Sequence, residues 1–189
     1  MKPIATTRSA TGIPTGRLAI WWVLASEVVI FGGLLGAYVM HRIGHPEWAD
    51  AAVHTNTWIG AFNTFVLLTS SFTAVLAHQA AEAGNGKLAA KYLYYTCGGA
   101  VTFVIVKSVE WYTEISHGYT ITSNGFWSFY YTAAGLHALH VIAGAIIMLI
   151  IAQAAKKNME LQRVELIGIY WHFVDVVWIF LFPLLYIAK

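Results

Sequence analysis

Five apolar stretches, each close to the roughly 20 residues that cross a ~30 Å hydrocarbon core, constrain this chain more than any other feature. They are residues 18–40, 57–78, 88–112, 126–151 and 166–188. In lipid no water satisfies backbone N–H and C=O groups, so segments of this length must be helices. The ~10-residue alternation of a membrane β-barrel is missing. The links between them are short and carry turn chemistry: Gly44-His45-Pro46, Gly84-Asn85-Gly86 and Ser123-Asn124-Gly125. Short links make sequential helices run antiparallel. The expected fold is therefore an all-α membrane protein, an antiparallel bundle of five transmembrane helices forming a single transmembrane domain over residues 1–189. Residues 1–16 read as a polar N-terminal tail. The first apolar run is longer than the ~7–15 residues of a signal-peptide core, which makes it a retained helix.

Composition agrees. The chain is 58% hydrophobic and 11% charged, against about 25% charged in a soluble domain. A mean hydropathy of +0.62 is too high for one small globular core, so much of the apolar surface must face lipid. The single cysteine, Cys97, excludes an internal disulfide and any CxxC site for zinc or an iron–sulfur cluster. Basic residues set the orientation. Lys2, Arg8, Arg17, Lys87, Lys91, Lys156, Lys157 and Arg163 lie on one side, and Arg42, Lys107 and Lys189 on the other. This bias predicts a cytoplasmic N-terminus and an outer C-terminus.

Ionisable residues inside a membrane are costly and mark candidate sites. Counting 1.5 Å per residue from the cytoplasmic ends puts Glu27 and Asp175 about 14 Å deep and His140 about 17 Å deep. His172 lies shallower, at about 9 Å, and His137 deeper, at about 21 Å. Three helices thus bring Glu27, His140 and Asp175 to one level. That layer reads either as a proton- or lipid-linked site or as a hydrogen-bonded cluster that fixes helix register. His137 and His140, at i and i+3, share a helix face; a haem would need a facing second ligand, which His172 or His78 could supply, and a haem-binding anchor would use His140 with His172. No haem-attachment motif accompanies them. His41, His45, His54, Glu47 and Asp50 crowd the first outer link and read as a solvated loop rather than a metal site. Gly32 and Gly36 form a GxxxG pattern for close approach of a sister or partner helix. Lys107 and Glu110, at i and i+3 near a helix end, are expected to pair and snorkel to the interface. Trp21, Trp22, Trp58, Trp111 and Trp127 suit aromatic belts. There is no nucleophile with a base, no phosphate loop and no complete metal shell, so no catalytic, cofactor-binding or metal residue is assigned.

Several segments nevertheless match a known pattern. Tyr170-Trp171-His172-Phe173-Val174-Asp175-Val176-Val177-Trp178 resembles the last-helix signature of subunit III of the haem–copper cytochrome c oxidases. Gly135-Leu136-His137-Ala138-Leu139-His140-Val141-Ile142-Ala143-Gly144 resembles that family's GxHxxHV(I)xG helix. Ala25-Ser26-Glu27-Val28-Val29-Ile30-Phe31 is similar to its SEVxFF segment, which carries a membrane carboxylate. Asn63-Thr64 with Leu67-Leu68, Glu82 with Gly84-Asn85, and Glu110-Trp111-Tyr112 follow in the family's order.

The resemblance implies a non-catalytic subunit III of a proton-pumping terminal oxidase that reduces O2 to water, of the cytochrome c oxidase aa3 or caa3 type. By motif match Glu27 is the family's buried glutamate, and His137, His140, His172 and Asp175 are its intramembrane polar residues. It implies no cofactor in this subunit, haem and copper in partner subunits I and II, and bound phospholipid. It also implies direct packing on subunit I, neighbouring subunit II and possible small subunits, support of proton uptake, and no nucleic acid partner. The location implied is the bacterial plasma membrane. Longer members carry two more helices before the glutamate helix, whereas a short tail precedes it here, as in five-helix forms. The homologous subunit of a quinol oxidase or nitric oxide reductase complex is the alternative. A haem-binding membrane anchor and a small transporter are further rivals, although transporters show internal repeats and broken helices that this chain lacks.

Overall fold

The structure, a computed structural model, describes residues 14–188. The tail residues 1–13 and Lys189, which entered the charge count above, lie outside the described residues. Helices α1 (Thr15–Gly44), α3 (Thr57–Glu82), α4 (Gly86–Ser116), α5 (Gly125–Ala155) and α6 (Gln162–Phe182) are the five spans, and α6 runs on into a π-helical turn, Pro183–Ile187. Each is long and apolar enough to cross a membrane, and they pack as the five-helix bundle expected. The helices overrun their apolar stretches: α4 continues four residues past Tyr112, to Ser116. A six-residue helix, α2 (Trp48–Val53), occupies the link read as a solvated loop. Its Trp48 is buried and stacks on His45, with ring centroids 5.4 Å apart.

Three links become helix starts through asparagine. The side-chain oxygens of Asn56, Asn85 and Asn124 accept from Trp58 and Ile59 N–H, Leu88 N–H and Trp127 N–H respectively, at 3.0–3.2 Å. They satisfy N–H groups that have no partner within the helix. Gly84 supplies the left-handed turn ahead of Asn85, at φ 73°. A Cβ on Gly86 would sit 2.0 Å from the Ala155 carbonyl oxygen, so only glycine lets α4 begin against the end of α5.

Helices α3 to α6 close a ring in which α3 packs on α4 and α6, and α5 packs on the same two. Hydrophobic burial cannot drive helices together in lipid, so close van der Waals contact must. The seams are accordingly small-residue seams. Ala74, Ala77, Ala80 and Ala81 of α3 and Ala89, Ala90 and Ala100 of α4 are buried, and a Cβ on Gly99 would lie 2.6 Å from Ser70. Helix α1 leans on the outside of the ring, touching α6 and α5 through Leu24, Phe31 and Tyr38, one residue every two turns. Its Gly32 and Gly36 have open space where a Cβ would be, so among the described residues they pack closely on no other helix.

Among the tryptophans, Trp21, Trp22 and Trp58 are exposed as belt residues, but Trp127 is buried. It stacks on Tyr119 at 4.9 Å, because the α4–α5 link folds back over the bundle end. The C-terminal turn is tied down through its carbonyls. Tyr38 donates to Leu184 O, Thr57 to Tyr186 O and Arg42 to Ala188 O, at 2.9–3.0 Å. These are the groups that a helix end leaves unsatisfied.

Candidate functional site: two intramembrane polar centres

The first centre joins α1 to α5. Glu27 Oε2 lies 3.0 Å from His140 Nε2, an ion-pair approach without the alignment of a good hydrogen bond. The other ring nitrogen, Nδ1, is 2.8 Å from Leu136 O. A carbonyl can only accept, so Nδ1 carries a proton. A neutral imidazole would then point an Nε2 lone pair at Glu27, which repels a bare carboxylate. One more proton on the pair, on the carboxyl or on Nε2, would turn that approach into an attraction. In either arrangement the pair is neutral overall, which removes most of the cost of charge at this depth. Tyr170 donates to His140 O at 3.3 Å, and Phe31 meets the imidazole edge-on at 5.2 Å.

The matched depths of Glu27, His140 and Asp175 do not make one cluster. Asp175 is buried on α6 with no hydrogen bond to either carboxyl oxygen. Its helix neighbour His172 receives Ser71 of α3, with Oγ 2.6 Å from Nδ1. His137 parts from His140 despite the i, i+3 spacing. It is fully buried between Phe103 and Trp178, with neither ring nitrogen hydrogen-bonded. A spacing of three residues turns side chains about 60° apart around a 3.6-residue helix, enough here to put one in the ring core and the other on α1. His140 and His172 are each engaged with another residue, and among the described residues no three His, Cys, Asp or Glu side chains are grouped to hold a metal ion.

The second centre was not anticipated. Lys107 and Glu110 pair as expected, Nζ to Oε2 3.1 Å, but neither snorkels: both side chains are 1% exposed. Lys107 also donates to Tyr130 OH at 2.9 Å and to Tyr186 OH, and both tyrosines donate to Glu110 Oε1 at 2.7 Å. The rings of Trp111, Tyr130, Trp178 and Tyr186 surround the ammonium at 4.6–5.6 Å, within cation–π range. Every charge thus has a partner, and α4, α5 and the π turn share one knot. The signal that would have revealed it is the true helix length. Counted from Ser116, Lys107 lies about 14 Å in, too deep for its stem to reach the interface.

A proton on Glu27 is a testable expectation. An apolar carbodiimide reacts with protonated carboxyls, and the Glu27 side chain is 16% exposed. We expect it to modify Glu27 ahead of Glu47, Asp50 and Glu160. Peptide mapping that found label only on the three surface acids would place the shared proton on His140 or show Glu27 to be inaccessible.

Comparison with known proteins adds independent findings. The family model described as Cytochrome c oxidase subunit III matches residues 6–189. The chain is 32% identical over 173 residues to cytochrome c oxidase subunit 3 of Corynebacterium diphtheriae, covering 88% of this chain and 84% of that one. It is 31% identical over 169 residues to the Thermostichus vulcanus protein of the same name, covering 87% and 83%. A third relative, the heme-copper oxidase subunit I+III of Aeropyrum pernix, is 29% identical over 183 residues, which are 91% of this chain and 22% of that protein.

Proposed function

The chain belongs to the cytochrome c oxidase subunit III family, and from that premise we propose that it is the supporting subunit of a terminal oxidase of the aa3 or caa3 type. As a family member it is an integral multi-pass membrane protein and part of a haem–copper oxidase complex. Its partner is subunit I; the relative from Aeropyrum pernix bears subunits I and III in one protein by name. The observation that carries a supporting role is the bonding of the centres themselves. Glu27 lies against His140, and Lys107, Glu110, Tyr130 and Tyr186 satisfy one another within the bundle. In this reading haem and copper reside in subunits I and II, and this chain holds no redox centre. The complex resides in the bacterial plasma membrane, with the N-terminus cytoplasmic.

Two surfaces fit that role. Gly32 and Gly36 on α1 offer a close backbone approach that no other helix uses among the described residues, suited to a partner helix. A groove of about 420 Å³ between α1, α5 and α6, lined by Ile20, Val23, Ile147, Leu166 and Tyr170 with Arg163 among them, is suited to a phospholipid chain. Arg163 pairs with Glu160 at 2.7 Å and Arg17 with Glu165 at 2.6 Å at the same end of the bundle, so the groove has a polar, headgroup-like boundary. A lipid seated there would lie against Tyr170, whose hydroxyl donates to the His140 carbonyl, beside the polar pair, and would support proton uptake into subunit I.

Mass spectrometry of the native complex tests the oxidase type. Subunits I and II carrying a copper-binding cytochrome c-oxidising set are expected; a quinol-oxidising set or a nitric oxide reductase would replace the reading. A reporter fused after Lys189 should lie outside the cytoplasm. A cytoplasmic signal there, with an outer one from the Gly84–Gly86 link, would invert the topology.

A further inference from the structure

At the end of the bundle that carries α2, a cavity of about 360 Å³ opens beside the Lys107 knot. It is lined by Glu110 and Glu114 of α4, with Asn56, Thr113, His54 and His117 around them. Glu114 is the unexplained member. It is only 6% exposed, borders the cavity, and has no hydrogen bond or ion pair, because the one nearby ammonium, Lys107, is already taken by Glu110 and two tyrosines.

Charge and size together narrow what such a cavity accepts. Two carboxylates face one ammonium, which leaves one negative charge uncompensated when Glu114 is ionised. The Glu114 carboxyl reaches the cavity without a protein partner, so only water or an ion placed there can meet it. The neighbours add acceptors: Thr113 spends its hydroxyl proton on Val109 O at 3.0 Å, leaving its lone pairs free, and His117 spends its Nδ1 proton on Thr113 O at 2.8 Å. An adjoining hollow, which shares His54, is lined by Glu47 and Asp50. The backbone N–H and then the His45 side chain hold the Glu47 carboxyl below its usual range, so that approach is anionic as well. At about 30 Å³ per water the cavity is the size of roughly a dozen waters. That is too large for a bare ion and ample for one that keeps its hydration shell. No three-ligand cluster exists among the described residues for a dehydrated transition metal. Magnesium-type ions, by contrast, retain several waters and bind through one or two carboxylates.

We propose that this cavity binds a hydrated divalent cation of the magnesium type, with the Glu114 carboxylate as its anchoring ligand. The ion supplies the charge that Lys107 cannot, and so stabilises the knot that fixes α4, α5 and the C-terminal turn.

The test is thermal unfolding of the full-length chain in detergent, with MgCl2 titrated against choline chloride at constant ionic strength. Binding at fivefold excess over Kd should raise the midpoint by about 2–4 °C. The rise should saturate, vanish in Glu114→Gln and persist in Glu47→Gln. Mn2+ as a paramagnetic probe should show one ion per chain, displaced by Mg2+. If Glu114→Gln does not fold, Glu114→Asp and the Mn2+ signal of the wild type decide: no bound Mn2+ overturns the proposal. So does an equal rise with choline, which is screening alone. A midpoint that follows pH in the wild type but ignores Mg2+ also overturns it, since Glu114 then carries a proton in place of a metal ion.

Discussion

Lys107→Met should destabilise the chain by ~3–5 kcal/mol, among the largest effects of any single substitution outside the helix seams. The side chains are of similar length, so little volume is lost. What is lost is the charge that balances Glu110, whose carboxylate stays buried and still accepts from Tyr130 and Tyr186 at 2.7 Å. The cage of Trp111, Tyr130, Trp178 and Tyr186 then encloses a neutral group where it had held a cation. Removing both charges, in Lys107→Met with Glu110→Leu, leaves no uncompensated ion. The tyrosine hydroxyls already stand 3.2 Å apart and can bond to each other. The double variant should therefore be more stable than Lys107→Met alone, a strongly non-additive result for two residues in one network. The readout is the unfolding midpoint in detergent, expected to fall by roughly 10 °C in the single variant and to recover at least half of that in the double. Additive losses would mean that Glu110 is not bound to Lys107 in the folded chain.

The same knot shows where the sequence was legible and where it was not. Span count, helix class and antiparallel order follow from apolar length and short links, and these are set by the bilayer rather than by any one residue. The Glu27–His140 contact was foreshadowed by depth alone, since two polar groups at one level on different helices gain by meeting. Depth says nothing of azimuth, and that is why Asp175, at the same level, makes no pair with Glu27, which meets His140 of α5. Lys107 was misjudged for a related reason. Hydropathy falls at Tyr112, so the helix seemed to end there, but backbone bonding carries it to Ser116. Tyr186 reaches Glu110 across 76 residues of chain, a pairing with no local trace. Asn85 and Asn124, by contrast, stand in turn motifs visible in the sequence, and each caps the helix that follows.

Depleting this subunit from the intact oxidase should leave the first turnovers nearly unchanged and shorten the working life of the enzyme severely. The expectation rests on the reading of the chain as a supporting subunit. If haem and copper reside in subunits I and II, the chemical step does not need this bundle. Its absence would instead expose to water and lipid whatever flank of subunit I the bundle covers. Proton delivery there should slow, most at high pH where protons are scarce, and reactive intermediates should persist long enough to damage the site. Oxygen uptake followed over many turnovers separates the two effects, with initial rate reporting chemistry and decay reporting cover. Glu27→Ala should reproduce part of the decay, because it leaves His140 without the partner that keeps the pair neutral. Asp175→Ala should act independently, since Asp175 shares no hydrogen bond with that pair, and the two losses should add. If depletion abolishes the very first turnovers while haem and copper remain bound, the chain takes a direct part in catalysis and the supporting role is wrong.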